Sequence, residues 1–156
     1  MRFQDAIANS NDVRDAFQAG IQALSAIDRD KLSFTNTRKI SGSLNLDAAV
    51  AELYPNAPRW DYGIGIKKTE GSDKAIWVEV HPADANQVQK MIDKLGWLKN
   101  WLNNRARDLM TITENDVPYV WVASGHVSFQ RASPQAKRLA LAGIRFPMEH
   151  YHIETR

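Results

Sequence analysis

The sequence predicts a single α/β domain, a mixed β-sheet built around one hairpin with helices flanking it. Three observations lead there. Arg59 to Pro82, RWDYGIGIKKTEGSDKAIWVEVHP, reads as two strands joined by a tight turn. Ala85 to about Arg107 carries Val88, Ile92, Leu95, Leu98 and Leu102 at helical spacing. Val117 to Ala123 is then a strongly apolar strand. A hairpin that leads through a crossover helix to a later strand gives a sheet with both antiparallel and parallel neighbours. The chain of 156 residues, 44% hydrophobic and 24% charged, is long enough for one sizeable core and too short for two. Residues 1–156 are therefore read as one domain, with 1–46 as an N-terminal helix and connection.

Composition removes several function classes. The chain has no cysteine, which excludes disulfides, thiolate catalysis and cysteine-ligated zinc. A formal net charge of +2 permits a nucleic-acid partner without requiring one, because a local basic patch matters more than the total. No apolar run reaches membrane-spanning length, and MRFQDAIANS lacks a signal-peptide core. The expected setting is cytoplasmic, with no membrane partner.

Along the chain, Asn9-Ser10-Asn11-Asp12 offers helix-cap chemistry, and Val13, Phe17, Ile21, Leu24 and Ile27 follow at helical spacing, which predicts an outer helix. Asp28 to Arg38 is polar and reads as a connection. Ile40 to Leu46 reads as a short strand or an extended turn, broken by Gly42. Asp47 is the expected N-cap of a helix from Ala48 to Tyr54, stopped by Pro55. After the long helix and the apolar strand, Ser133 caps a helix with Pro134 at its first position, and Gly143 ends it. Phe146 to Ile153 closes the chain as a strand.

Within the hairpin, register decides which side chains meet. A three-residue loop centred on Gly71 pairs Asp61 with His81 and Gly63 with Glu79. Asp61, Gly63, Gly65, Trp77, Glu79 and His81 then share one face. Tyr62, Ile64, Ile66, Ile76, Val78 and Val80 share the other, which is apolar enough to rest on a core. A two-residue loop shifts the pairing by one and splits the acids, so the consistently apolar face favours the longer loop. Glycine inside a strand often marks close approach by a ligand or another backbone. Here Gly63 and Gly65 would clear space above the carboxylates for a divalent ion and an anionic substrate. Mg²⁺ takes oxygen ligands, usually one or two carboxylates with waters and phosphate oxygens. The plainer alternative is a solvent-facing hairpin with ordinary surface charges.

This combination of element order and acids resembles the core of PD-(D/E)XK nucleases, over roughly Asp47 to Ile153. That superfamily places an aspartate on one strand and, on the next, a glutamate or aspartate, any residue and a lysine. By match, Asp61 and Glu79 correspond to the two acids, with the Val80 carbonyl as a third metal ligand. The resemblance implies a restriction-endonuclease-like core, Mg²⁺ or Mn²⁺ as cofactor, and a nuclease-like protein acting on nucleic-acid phosphodiesters. It also implies a catalytic set of Asp61, Glu79 and His81 with a lysine from elsewhere. This chain departs from the pattern at His81, which stands where the family has lysine. A neutral imidazole accepts a proton from water but supplies no fixed positive charge. Lys67 shares the acidic face but lies six residues from Asp61, about 20 Å along an extended strand. Lys90 and Lys94 lie near the start of the long helix, and Lys94, bordering its buried stripe, is the first choice. A helical Gln-x-x-x-Tyr motif is absent, since Met91 follows Gln87 by four.

Other groupings carry less. Glu52 is a further acid before the hairpin, read as an exposed one. His150 and His152 share a strand face, with His126 or Glu149 as further candidate ligands. Trp60, Trp77 and Tyr62 suit base stacking or, as is commoner for aromatics on strands, a core. Two rivals to the enzyme stand beside it. One is a catalytically inactive nuclease-fold protein whose hairpin face binds protein or nucleic acid. The other is an unrelated α/β interaction protein.

Overall fold

The computed structural model describes residues 1–155. Phe3, Ala6 and Ile7 line one side of helix α1 (Phe3–Ala8) and are completely buried. Asp73, at the tip of the hairpin, fixes this segment: its Oδ2 accepts the Phe3 N–H at 2.7 Å, and its own N–H donates to the Met1 carbonyl at 3.0 Å.

The helix expected over Val13 to Ile27 does not form. The segment makes a short 3-10 turn (Asn11–Val13), and Gln18 then exchanges backbone hydrogen bonds with Ser43 at 2.9 and 2.8 Å. Gly20 adopts a left-handed conformation (φ 53°) that a regular helix excludes. Only a four-residue helix, α2 (Ala26–Arg29), remains, and Ile27 is exposed. The apolar stripe divides instead, Val13 joining one core cluster and Leu24 another. The polar connection expected over Asp28 to Arg38 contains strand β1 (Leu32–Phe34).

Strand β2 (Ile40–Asn45) carries a bulge between Ile40 and Gly42. Helix α3 (Leu46–Val50) is capped by Asn45, whose side chain accepts the Ala48 N–H, so the cap lies two residues before the Asp47 expected from sequence. Asp47 is engaged elsewhere, 2.8 Å from the Arg59 guanidinium.

The hairpin follows as β3 (Tyr62–Thr69) and β4 (Ser72–His81). Its register differs from expectation. Tyr62 pairs with Val78, Gly63 with Trp77 and Gly65 with Ala75, two residues from the predicted pairing. The loop is the short one, with Thr69 opposite Ser72 and Gly71 left-handed (φ 75°). A bulge between Lys67 and Thr69 absorbs the one-residue offset that this loop would impose. A displacement of two residues preserves side-chain alternation, so the face assignment survives the register change.

Helix α4 (Val88–Arg105), preceded by a 3-10 turn, carries the chain across the sheet, and a short helix α5 (Arg107–Ile112) follows. Strand β5 (Tyr119–Ala123) pairs in parallel with β4, Trp77 opposite Tyr119 and His81 opposite Ala123. Helix α6 (Pro134–Ala142) has the Ser133 cap, the N1 proline and the left-handed Gly143 stop read from sequence. Of the expected final strand only β6 (Tyr151–Ile153) is regular, and it pairs in parallel with β1.

The result is an α/β domain with a four-stranded mixed sheet in the order β2-β3-β4-β5. The face bearing Trp77 and Ala75 packs on α1, α3, α4, α5 and α6. The face bearing Tyr62, Ile64, Ile66, Ile76 and Val78 is covered by the β1–β6 ribbon together with Ile21 and Leu24. No helix is long and apolar enough to cross a membrane among the described residues.

Candidate functional site

Asp61 immediately precedes β3, and its carbonyl accepts the Leu46 N–H at 2.8 Å, which locks the strand entrance to the start of α3. Glu79 is near the end of β4. The two acids lie side by side through reciprocal contacts. The Asp61 N–H donates to Glu79 Oε1 at 3.0 Å, and the Val80 N–H donates to Asp61 Oδ2 at 3.0 Å. The expected pairing of Asp61 with His81 is thus corrected. The bulge moves Asp61 opposite Glu79, so the two carboxylates come closer than the predicted register would bring them.

Lys94 reaches this pair from the second turn of α4. Its Nζ is 2.8 Å from Glu79 Oε2 and donates to the Arg59 carbonyl at 3.1 Å. Lys90, one turn earlier, is exposed, as is Lys67 at the far end of β3. His81 lies on the same face. Its Nδ1 is 3.5 Å from Glu79 Oε2, and its Nε2 is hydrogen-bonded to Gln87 Oε1 at 2.7 Å. The imidazole is held from both sides, with the Trp121 ring edge-on to it at a centroid distance of 6.5 Å.

Asp61, Glu79, His81 and Lys94 therefore come together, and Val80 adjoins them through its N–H. Glu79 is almost wholly buried, 1% exposed, with Oε1 and Oε2 both engaged by protein donors. Asp61 Oδ1, by contrast, accepts no hydrogen bond from the described residues. Burial first, and then the neighbouring Glu79 charge, push the Asp61 carboxyl up to about 7, against the opposing pull of the Val80 N–H and Lys94.

The space expected above the strand glycines is filled by the protein. A Cβ on Gly63 would stand 2.6 Å from the Trp77 ring, and one on Gly65 would stand 2.4 Å from the Phe3 ring. These glycines admit Trp77 and α1 instead. Trp60, Trp77 and Tyr62 are buried in the core. Glu52 is exposed beyond the end of α3. His152 is hydrogen-bonded to the hydroxyls of Ser33 (2.8 Å) and Thr35 (2.9 Å), and His150 is exposed outside β6. No group of three or more His, Cys, Asp or Glu side chains suited to holding a metal ion occurs among the described residues.

Two supporting residues escaped sequence reading. Arg59 contributes a carbonyl to Lys94 while its side chain grips Asp47 and the Tyr54 carbonyl. Asn45 caps the helix that anchors Asp61. An Asn followed three residues later by a good helix former was a legible cap signal for the second. Nothing local marks Arg59, whose role is played by its backbone. Comparison with protein-family models, characterised proteins and solved structures gives no significant match.

Proposed function

We propose that Asp61, Glu79 and Lys94 form the centre of a divalent-metal-dependent phosphodiesterase acting on nucleic acid. The observation that carries this reading is the Lys94 ammonium, 2.8 Å from Glu79. A helix supplies, beside the acid pair, the cation that the strand lacks at His81. The element order, with a helix crossing from the acid-bearing strand to a parallel neighbour, also supports it.

The donor chemistry fits Mg²⁺ or Mn²⁺ in part. Two carboxylates are a usual complement for these ions when substrate and water provide the remaining oxygens. Asp61 Oδ1 is the open donor, Glu79 Oε2 is the second once it shares its lone pairs with Lys94, and the Val80 carbonyl is the backbone candidate. A bound ion would activate water and offset charge on the phosphate. Lys94, held by the Arg59 carbonyl, places a fixed positive charge where charge develops in the transition state. His81, anchored by Gln87, holds its other ring nitrogen towards the acids and accepts or orients a proton there.

A second reading has its own observation. Glu79 is buried with both oxygens satisfied, as in a structural ion pair, and this favours a catalytically inactive protein whose surface near Asp61 binds nucleic acid or another protein. Removing one partner of such a pair is strongly destabilising.

Calorimetric titration with Mn²⁺ separates the two. The enzyme reading expects saturable binding by the wild type that is lost in Asp61→Ala and Glu79→Ala. It also expects Mn²⁺-dependent cleavage of a single- or double-stranded DNA, reduced roughly 100-fold or more in Lys94→Met. Absence of Mn²⁺ binding, with or without added oligonucleotide, would overturn it in favour of the binding protein.

A further inference from the structure

The N-terminal end of β5 opens into a cavity of about 600 Å³ bounded by α6 and the segment from Gly143 to Phe146. Its wall is mainly apolar, formed by Val117, Pro118, Ile144 and Phe146. Its polar lining residues are Asn115, Tyr119, Arg131 and Arg145. The Arg131 guanidinium lies over the Phe146 ring, 4.6 Å from its centroid, and Lys99 lies 5.3 Å from the centre of the Tyr119 ring. Neither Arg131 nor Arg145 has an ion-pair partner among the described residues.

The lip of the cavity supplies an independent observation. Val117 has a left-handed backbone (φ 51°). A β-branched residue in that region is a genuine outlier, and such strain concentrates at ligand clamps and switch segments. The conformation turns the chain between Glu114, whose N–H donates to the Ala75 carbonyl, and Pro118, whose carbonyl accepts the Trp77 N–H. Both ends of the lip are thereby tied to β4.

We propose that this cavity binds a small amphipathic anion, an aromatic or branched apolar body carrying one carboxylate or phosphate. The apolar body packs against Val117, Ile144 and Phe146. The acid group takes a paired contact from Arg131 and Arg145, which guanidinium geometry favours for carboxylate and phosphate alike. The Tyr119 hydroxyl, kept as a neutral donor by burial, is available to a further oxygen. The site is separate from the acid pair and does not depend on the phosphodiesterase reading.

The test is calorimetric titration of the full chain with 1-naphthoate, 1-naphthyl phosphate and the neutral 2-naphthol. Saturable one-to-one binding of at least one anion is expected, roughly tenfold or more tighter than 2-naphthol. The two anions tell a carboxylate ligand from a phosphate one. The double variant Arg131→Ala/Arg145→Ala is expected to lose that preference. Ala140→Trp, which fills the cavity from an exposed position of α6, is expected to abolish binding while leaving the unfolding midpoint unchanged. Equal binding of anion and neutral compound, binding unaffected by either variant, or no binding of any of the three would overturn the proposal.

Discussion

Burial and the adjoining Glu79 charge raise Asp61 to about 7, whereas the carboxyl of an unfolded aspartate titrates near 4. The native metal-free protein therefore holds a proton that the unfolded chain releases, and the sign of the linkage follows. This contribution to stability is fully present below about pH 4 and is lost as pH rises through about 7. Asn in place of Asp61 cannot titrate. Urea unfolding in EDTA should show the wild type losing on the order of 3 kcal/mol relative to Asp61→Asn between pH 4 and pH 8. Parallel pH profiles for the two proteins would rule out the buried, charge-opposed environment of Asp61. The acids themselves, and Lys94 as the preferred partner, were legible from strand alternation and from the buried stripe of α4. The bonds that occupy Glu79 were not, because they depend on where Arg59 and α4 lie in space.

On the scale of elements, the hairpin shows how two local features cancel. Its short loop alone would put the acids on opposite faces, and the bulge near Lys68 restores them to one. Sequence periodicity foretold the faces correctly because alternation is a property of each strand by itself. It misjudged the register because a bulge leaves no periodic mark. The glycines were likewise misassigned. Gly65 is required by the closeness of Phe3 and Ser41, both 2.4 Å from the position of a Cβ. Gly65→Ala should cost about 1–3 kcal/mol through overpacking, without changing the circular dichroism spectrum. Gly96, in the middle of α4 with nothing within 4 Å of its Cβ position, provides the contrast. Gly96→Ala should raise the stability by up to about 1 kcal/mol from helix propensity. Denaturant midpoints measured side by side check both, and a stabilised Gly65→Ala would refute the close packing of α1 on β3.

At the scale of the whole molecule, Asp12 joins parts of the chain that sequence reading treats as separate. Its carboxylate accepts hydrogen bonds from the Tyr54 hydroxyl (2.6 Å), Trp101 Nε1 (3.0 Å) and the Arg105 guanidinium (2.8 Å). Arg105 above all, then Tyr54 and Trp101, hold it down at about 2 against the opposing effect of burial. Asp12→Ala leaves the Tyr54 and Trp101 donors without their acceptor. It should cost about 1–3 kcal/mol in a urea titration at pH 7. The deficit should shrink as pH falls from about 4 towards about 2, because protonation then removes the same interaction from the wild type. An undiminished deficit at pH 2 would mean that Asp12 acts by shape alone.

The amino-acid sequence by itself determined the elements whose cause is local: the two hairpin strands and their faces, the long helix, the apolar strand after it, and the Ser133-Pro134 start and Gly143 stop of α6. These follow from alternation, helical spacing and capping, which involve residues within a few positions of one another. Tertiary structure alone decided the rest. It broke the expected helix at Val13 to Ile27, because Gln18 gains sheet hydrogen bonds to Ser43 and the stripe serves two cores. It also pinned α1 through Asp73, paired β1 with β6 from the two ends of the chain, and brought Lys94 onto Glu79. Each of these contacts joins residues far apart in sequence, and its energy comes from burial and charge that exist only once the sheet and its helices have packed.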